Sequence, residues 1–293
     1  MITYIIRRML LMIPTLLVIS LLVFIIIELP PGDYIESYIA QLEAQGEQAN
    51  PELLNFLRQQ YGLEKPAYER YFGWVTGMVQ GDFGFSFEYR MPVSEVIGDR
   101  LLLTILISIA TIMFTWIIAF PIAIYSATHQ YSWGDYGLTL LGLMGLATPN
   151  FLLALIMLYF ANVVFGTSIG GLMDPEYLNQ PWSVDKAVSV LEHLWVPVVV
   201  IGTAGTAGMI RKLRANLLDE LGKHYVTAAR AKGLPGYRLL VKYPLRVAIN
   251  FMVSDIGHLL PSVISGAELV AIVLSLPTTG PILISALQSQ DMY

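Results

Sequence analysis

Three ionisable side chains lie within one apolar stretch of this 293-residue chain, at 250–276. They are Asp255, His258 and Glu268, and the first two, three residues apart, share one face of a helix. Ionisable groups inside a membrane mark a polar path or a buried pair, so these residues are candidates for a translocation path or gate. For Asp255 and His258, solvation near the cytoplasmic end of the stretch is an alternative of equal weight.

The residues of common enzymatic sites are missing from this sequence. The chain has no Cys, which excludes a thiol nucleophile and a cysteine-based metal site. It contains neither a G-x-x-x-x-G-K-[ST] phosphate loop nor an H-E-x-x-H motif, and its four His are scattered. We therefore expect no catalytic residue, no metal site, no cofactor held by this chain and no nucleic-acid partner. An intramembrane enzyme would need a nucleophile and a base at helical spacing, which the sequence does not offer.

A strongly basic segment occupies residues 211–246, with nine Lys/Arg and two carboxylates. The pattern predicts a short helix over Lys223–Lys232 that stops at Gly233, where glycine adopts a left-handed conformation at little cost. Pro235 suits the first turn of a second helix, which returns to the membrane. That second helix is predicted to be amphipathic, with a basic stripe at every fourth residue: Arg238, Lys242 and Arg246.

Two interpretations of this basic segment compete. Its Lys/Arg could hold anionic headgroups at the membrane surface. That interpretation leaves three small residues around Arg230 unexplained, namely Ala228, Ala229 and Ala231. A membrane anchor favours large apolar side chains, whereas alanines let another backbone approach closely. The pattern therefore favours a helix that docks in a groove of a partner protein.

The elements that position these residues are apolar spans. Hydrophobic residues make up 55% of the chain and charged residues only 13%, which is typical of a polytopic membrane protein. A spanning helix needs about 20 apolar residues. The first candidate is too long for a signal-peptide core and lacks a small-residue cleavage site. We predict five spans, with a sixth expected beyond residue 293, located at Met9–Leu29, Leu101–Tyr125, Tyr136–Phe165, His193–Ile210 and Asn250–Leu276. Pro149 is expected to kink or interrupt the third of them.

Charge sets the predicted topology. Arg7 and Arg8 precede the first span, which places the N-terminus in the cytoplasm by the positive-inside rule. The span count then puts the acidic residues 30–98 outside and the basic segment inside. Aromatic residues recur through 30–98, which predicts a folded segment with an amphipathic stretch at 50–61 and a Gly-rich stretch at 81–87. The predicted divisions are an N-terminal transmembrane helix (1–29), an external segment (30–98) and a membrane core (99–293), the core having an external loop at 166–190 and a cytoplasmic loop at 211–248.

The basic segment contains a recognisable motif. HYVTAARAKGL at 224–234 resembles the cytoplasmic EAA loop of ABC-importer permeases, specifically of the dipeptide, oligopeptide and nickel family, which reads roughly D-Y-V-R-T-A-R-A-K-G-L. The start, YIIRRMLLMIPTLLVISLLVF followed by PPGD, is similar to the first span of that family. GLEKPAYERYFGWVTGMVQGDFGFSF at 62–87 is similar to its external block. Together the motifs cover most of residues 1–290.

The resemblance implies an all-α polytopic protein with the type I ABC-importer transmembrane fold, set in the inner (cytoplasmic) membrane. It implies a second homologous permease, two ABC ATPase subunits that bind ATP and Mg, and an external substrate-binding protein. Peptides are the expected cargo, with oligosaccharides, opines or nickel as alternatives. The residues implied in docking the ATPases are Tyr225, Val226, Thr227, Ala228, Ala229, Arg230, Ala231, Lys232, Gly233 and Leu234.

Two stretches depart from the family pattern. Thr227 stands where the Glu of E-A-A is expected, so no role of that carboxylate carries over. After the fifth span, the acidic residue is displaced to Glu268, Ala271 takes its usual place and Thr278 replaces a Gly. Substrate and gating roles therefore transfer poorly to this stretch.

A function from a different class remains as an alternative. In an ion-coupled secondary transporter, Asp255, His258 and Glu268 would form a proton or ion relay. Such a protein would be expected to contain inverted repeats and would not need a docking loop. The sequence shows no internal repeat.

Overall fold

The computed structural model describes residues 2–29, 65–165, 170–177 and 180–291, together with the single positions 35, 39, 43, 54, 58, 59 and 62. The predicted amphipathic stretch 50–61 lies largely outside the described residues. The chain divides into two compact units. The first contains residues 1–100 and 282–293, and the second contains residues 101–281.

The first unit is built on one apolar helix, α1 (Ile2–Glu28), which confirms the predicted first helix. Nearly all of its side chains are exposed, as expected for a helix that faces lipid. Helix α2 (Ala67–Val79) packs against its second half. Tyr71 meets the edge of the Phe24 ring at 5.3 Å, and Arg70 donates to Glu28 at 2.6 Å.

A small hairpin follows in the same unit, formed by β1 (Phe85–Ser86) and β2 (Met91–Pro92). The buried carboxylate of Asp291 accepts a hydrogen bond from the Ser86 hydroxyl at 2.5 Å and another from the Glu88 N–H at 3.2 Å. Residue 291 is therefore fastened to the Gly-rich stretch 81–87. Sequence reasoning predicted a folded segment here but not this hairpin.

Helices form the rest of the described chain. In order they are α3 (Val93–Thr128), α4 (Trp133–Ala147), α5 (Asn150–Phe165), α6 (Val184–Leu221), α7 (His224–Ala231), α8 (Gly236–Lys242), α9 (Pro244–Gly266), α10 (Glu268–Val273) and α11 (Thr279–Gln288), with a 3-10 turn at Pro175–Tyr177. Gly98 interrupts α3 with non-helical backbone angles. The prediction of an all-α membrane protein is confirmed.

Within the described residues, three helices are long and apolar enough to cross a membrane: α1, α3 and α6. A fourth span results if α4 and α5, which bend by 97° at their junction, count as one. The break occurs at Pro149, as predicted, because the residue before a proline avoids helical angles. Thr148 accordingly has φ −83° and ψ 121°. The number of spans in the whole protein stays a prediction.

Helix α6 is the centre of the second unit and packs against α4, α5 and α9. Glycines permit its closest approaches. A Cβ on Gly202 would lie 2.5 Å from the Phe114 ring of α3, and one on Gly145 of α4 would lie 2.6 Å from Thr203. Buried alanines at every fourth residue of α3 also pack in the α6 cluster, namely Ala119, Ala123 and Ala127. Small residues that allow helices to approach closely are common in membrane interfaces.

The structure moves three predicted boundaries. Helix α6 begins at Val184, not near His193, because the Ser183 hydroxyl caps it by accepting from the Lys186 N–H at 3.1 Å. The predicted fifth span is divided into α9 and α10, and the division follows Gly266, a residue type that favours helix ends.

The second basic helix is also shorter than predicted. Pro235 is the N-cap residue of α8 and not part of its first turn. The helix ends at Lys242, and Tyr243 has φ −117° and ψ −82°. The expectation of one helix running through Arg246 was wrong, because Pro244 restricts the residue before it and has no N–H to donate.

Candidate coupling site and ionisable path residues

Helix α7 is a short, sharply terminated element that follows the end of α6. It covers His224–Ala231, which confirms the predicted helix. Gly233 has φ +79°, the left-handed conformation predicted for it. Its N–H bonds the Arg230 carbonyl at 3.0 Å, and the Lys232 N–H bonds that of Ala228 at 3.2 Å. Helix α7 therefore ends here, and the chain turns towards α8 within a few residues.

A small apolar cluster holds α7 against α8. Val226 and Ala229 of α7 are 1% and 6% exposed, and they pack with Leu239 of α8, which is also buried. The half-buried Leu234 and Tyr243 complete the cluster. Because these apolar residues pack against one another, α7 and α8 form one helical hairpin.

The ten candidate docking residues therefore divide into two groups. Val226 and Ala229 pack inside the chain and Leu234 is half-buried, so these three stabilise the hairpin itself. Ala229, one of the three alanines that suggested close approach of a partner, instead packs within the chain. The residues that remain exposed are Tyr225, Thr227, Ala228, Arg230, Ala231, Lys232 and Gly233.

Tyr225 links the start of α7 to the end of α6. Its hydroxyl donates a short hydrogen bond to the Glu220 carboxylate. Partial burial of the phenol is the largest cause that raises the pKa of Tyr225 to about 12, and the bond to Glu220 is the next. The phenol therefore stays protonated at physiological pH and keeps its role as donor.

A groove of about 630 Å³ opens beside this hairpin. Its lining comes from the ends of α3 and α6, from Arg230 and Leu234, and from Tyr237 and Leu240 of α8. Apolar walls with a cation at the edge suit a partner helix or loop that carries apolar and acidic side chains.

Asp255 is a buried carboxylate paired with a half-exposed lysine. Its carboxylate, 8% exposed, faces the Lys212 ammonium of α6 at 3.3 Å. Lys212 also lies 5.4 Å from the centre of the Phe251 ring. His258, predicted to share a helix face with Asp255, is exposed. Asp255 was a candidate for a polar path, for a pair or for simple solvation, and the geometry supports the pair.

Glu268 occupies a different place, at the start of α10. It is half-buried and lines a small, mainly apolar cavity, to which Thr104, Ser108 and Thr279 contribute hydroxyl groups. The Thr104 and Thr279 hydroxyls are 3.2 Å apart. The cavity volume is about 20 Å³, which suits one water molecule. In this conformation Glu268 therefore borders a water-sized cavity and not a peptide-sized passage.

Sequence reasoning missed a second ion pair. The Arg214 guanidinium of α6 donates to the Asp135 carboxylate of α4 at 2.8 Å, and Asp135 is 4% exposed. The Tyr131 N–H also donates to this carboxylate, at 3.1 Å. A possible signal was the single carboxylate of the connection 129–135, which has no Lys or Arg of its own. The pair places that connection on the same side of the membrane as Arg214.

Comparison with known proteins places the chain in a family. Residues 119–293 match the model of the binding-protein-dependent transport system inner membrane component, and residues 1–110 match the N-terminal model of such membrane components. The chain belongs to this family of ABC-importer permeases. The predicted resemblance is therefore confirmed over nearly the whole chain.

Named relatives agree over the same length. The oligopeptide transport system permease protein AppB of Bacillus subtilis is 36% identical over 290 residues, which is 98% of this chain and 88% of AppB. The glutathione transport system permease protein GsiC of Escherichia coli K12 is 30% identical over 291 residues, covering 99% of this chain and 88% of GsiC. The permease is thus a multi-pass membrane component of a larger transport system.

A pair of variants separates the two roles considered for Asp255. Lys212→Gln should lower folded yield more than Asp255→Asn, because it leaves a buried carboxylate unpaired, whereas water can solvate the half-exposed Lys212 ammonium. The double variant removes both charges and should recover most of the folded yield and transport. The measurements are monodisperse yield and substrate uptake. A well-folded double variant with no transport would contradict the ion-pair role and favour a relay.

Proposed function

We propose that this permease forms, with a second homologous permease, the pathway of an ATP-driven importer for short peptides. The observation that carries the proposal is the 36% identity to an oligopeptide permease over 98% of the chain. The glutathione permease supports the same cargo class, because glutathione is itself a small peptide.

The proposed engine lies in partner subunits. Two ABC ATPases would bind ATP and Mg and dock on the exposed face of α7 and on the groove beside α8. Arg230 stands where α7 meets this groove, and Lys232 is exposed at the end of the helix. Their charges favour an acidic rim on the ATPase surface.

The helices offer a mechanical route from the docking hairpin to the membrane. Helix α7 contacts α8, α8 packs against α9, and α9 packs against α6. The Lys212–Asp255 pair fastens α6 to α9 near the same end. A push on α7 would therefore tilt α6 and α9 together, which is a two-state rearrangement of the kind that alternates access.

The length of α6 fits this arrangement. Its 38 residues give a helix of about 57 Å, whereas the hydrocarbon core of a bilayer is about 30 Å thick. Part of α6 must project from the membrane, and its C-terminal end carries the docking hairpin. With the N-terminus in the cytoplasm, that projecting end lies in the cytoplasm, and residues 30–98 and 166–190 face the external binding protein.

The cargo can be tested through the binding protein that delivers it. The cognate external binding protein, purified without added ligand, should retain or bind peptides of a few residues and should bind oligosaccharides, opines and Ni²⁺ much more weakly. Titration calorimetry with each ligand class measures this directly. Preference for a sugar, an opine or Ni²⁺ would overturn the peptide assignment while leaving the importer assignment in place.

A further inference from the structure

A second groove, of about 260 Å³, lies between α4 and α6. Its walls are largely apolar and two arginines stand at one end. Its walls include Leu138, Thr139, Gly142, Leu143 and Ile210, and its end is formed by Arg211 and Arg214. An acyl chain suits such walls and an anionic group suits such an end.

The two arginines differ in charge balance. Arg214 is paired with the buried carboxylate of Asp135. Arg211 is exposed, and no carboxylate among the described residues lies within 4.0 Å of its guanidinium. The end of the groove therefore carries one positive charge that this part of the chain does not neutralise.

The depth of Arg211 follows from its neighbours. Three exposed aromatic residues lie at the start of α4 or just before it, namely Tyr131, Trp133 and Tyr136, with exposed fractions of 74%, 92% and 57%. Exposed Trp and Tyr at the end of a spanning helix mark the level of the lipid headgroups. Asp135, in the same turn, contacts Arg214, and Arg211 precedes Arg214 by three residues, about 4.5 Å along the axis. Arg211 therefore lies slightly deeper in the bilayer than the lipid headgroups.

We propose that the α4–α6 groove binds one anionic phospholipid, with its phosphate on Arg211 and an acyl chain against the apolar walls. An arginine just inside the headgroup level can extend its guanidinium to the lipid phosphates. A phosphate offers the guanidinium two parallel hydrogen bonds, and an anionic headgroup has no cation of its own to cancel the attraction. Lipid binding at this groove depends neither on the proposed cargo nor on the ATPase docking.

This site is distinct from the general attraction of the basic segment to anionic membranes. Arg238, Lys242 and Arg246 are exposed on α8 and α9 and do not line the α4–α6 groove. They can attract lipid headgroups, but they do not lie beside the apolar walls of that groove. Arg246 is therefore a matched control cation.

Native mass spectrometry of the full-length chain tests the proposal. The protein is stripped of lipid in detergent and titrated with phosphatidylglycerol or phosphatidylcholine of the same acyl chains. The wild type should bind one phosphatidylglycerol more tightly than phosphatidylcholine. Arg211→Gln should weaken phosphatidylglycerol binding about fivefold, the effect expected for one cation near the membrane surface. Arg246→Gln should leave that first binding step unchanged.

A groove-filling variant tests the acyl-chain contact separately. Thr139→Trp keeps Arg211 and occupies the groove, so it should also weaken phosphatidylglycerol binding. An unchanged melting temperature in each variant shows that the fold is kept. Equal effects of Arg211→Gln and Arg246→Gln, or no preference for phosphatidylglycerol in the wild type, would overturn the site. Full binding by Thr139→Trp would overturn the placement in the groove.

Discussion

Gly233→Val should lower transport roughly tenfold and reduce copurification of the ATPase subunits, while insertion into the membrane stays normal. Gly233 has φ +79°, and an added Cβ would meet no atom within 4 Å, so the cost is backbone strain and not a clash. A left-handed residue costs about 1–2 kcal/mol, and more for a β-branched side chain. About 1.4 kcal/mol corresponds to a factor of ten in the docking-competent population.

Two control variants isolate the backbone effect. Gly233→Asn should retain most of the transport, because Asn tolerates the left-handed region. Gly222→Val adds the same side chain at an exposed glycine that has φ −79° and lies outside the groove, so it should be mild. Affinity copurification of the ATPases and peptide uptake are the measurements. If Gly233→Val copurifies its ATPases normally, Gly233 has no role in shaping the docking hairpin.

Arg214→Gln should destabilise the permease by about 3–5 kcal/mol, the cost of leaving a buried charge without its partner. The remaining Asp135 carboxylate is 4% exposed and lies against α6, so water cannot solvate it. The expected result is a large fall in monodisperse yield and in the unfolding temperature in detergent.

The double variant and a surface cation are the controls. Asp135→Asn added to Arg214→Gln should recover most of the stability, since an amide oxygen can still accept from the Tyr131 N–H at the same place. Arg246→Gln, at an exposed cation, should change stability by less than about 0.5 kcal/mol. If Arg214→Gln were as mild as Arg246→Gln, the pair would have no role in holding α4 to α6.

The parts of the fold that sequence predicted are those with local causes. The apolar length of α1, the break at Pro149 and the helix stop at Gly233 each depend on a few neighbouring residues. The division between α8 and α9 also had a local signal, Pro244, but the regular spacing of the basic stripe suggested one continuous helix.

The parts that sequence could not predict join distant residues. Asp255 and Lys212 are 43 positions apart, Asp135 and Arg214 are 79 apart, and Ser86 and Asp291 are 205 apart. Each charge reads from the sequence as a solvated or path-lining group, and only the packing of α4, α6 and α9 decides its partner. The burial of Ala229 was hidden for the same reason, because it depends on how α8 folds back.

The central claim is that this permease transports cargo with energy supplied by ATPases docked on α7. Proteoliposomes containing the two permeases, with ATPase subunits and binding protein added or omitted, test it by uptake of a labelled peptide. We expect uptake that requires ATP and both kinds of added subunit, that falls about tenfold in Gly233→Val by the cost of the left-handed conformation, and that does not respond to an ion gradient. Gradient-driven uptake by this chain without ATPase subunits would contradict the account.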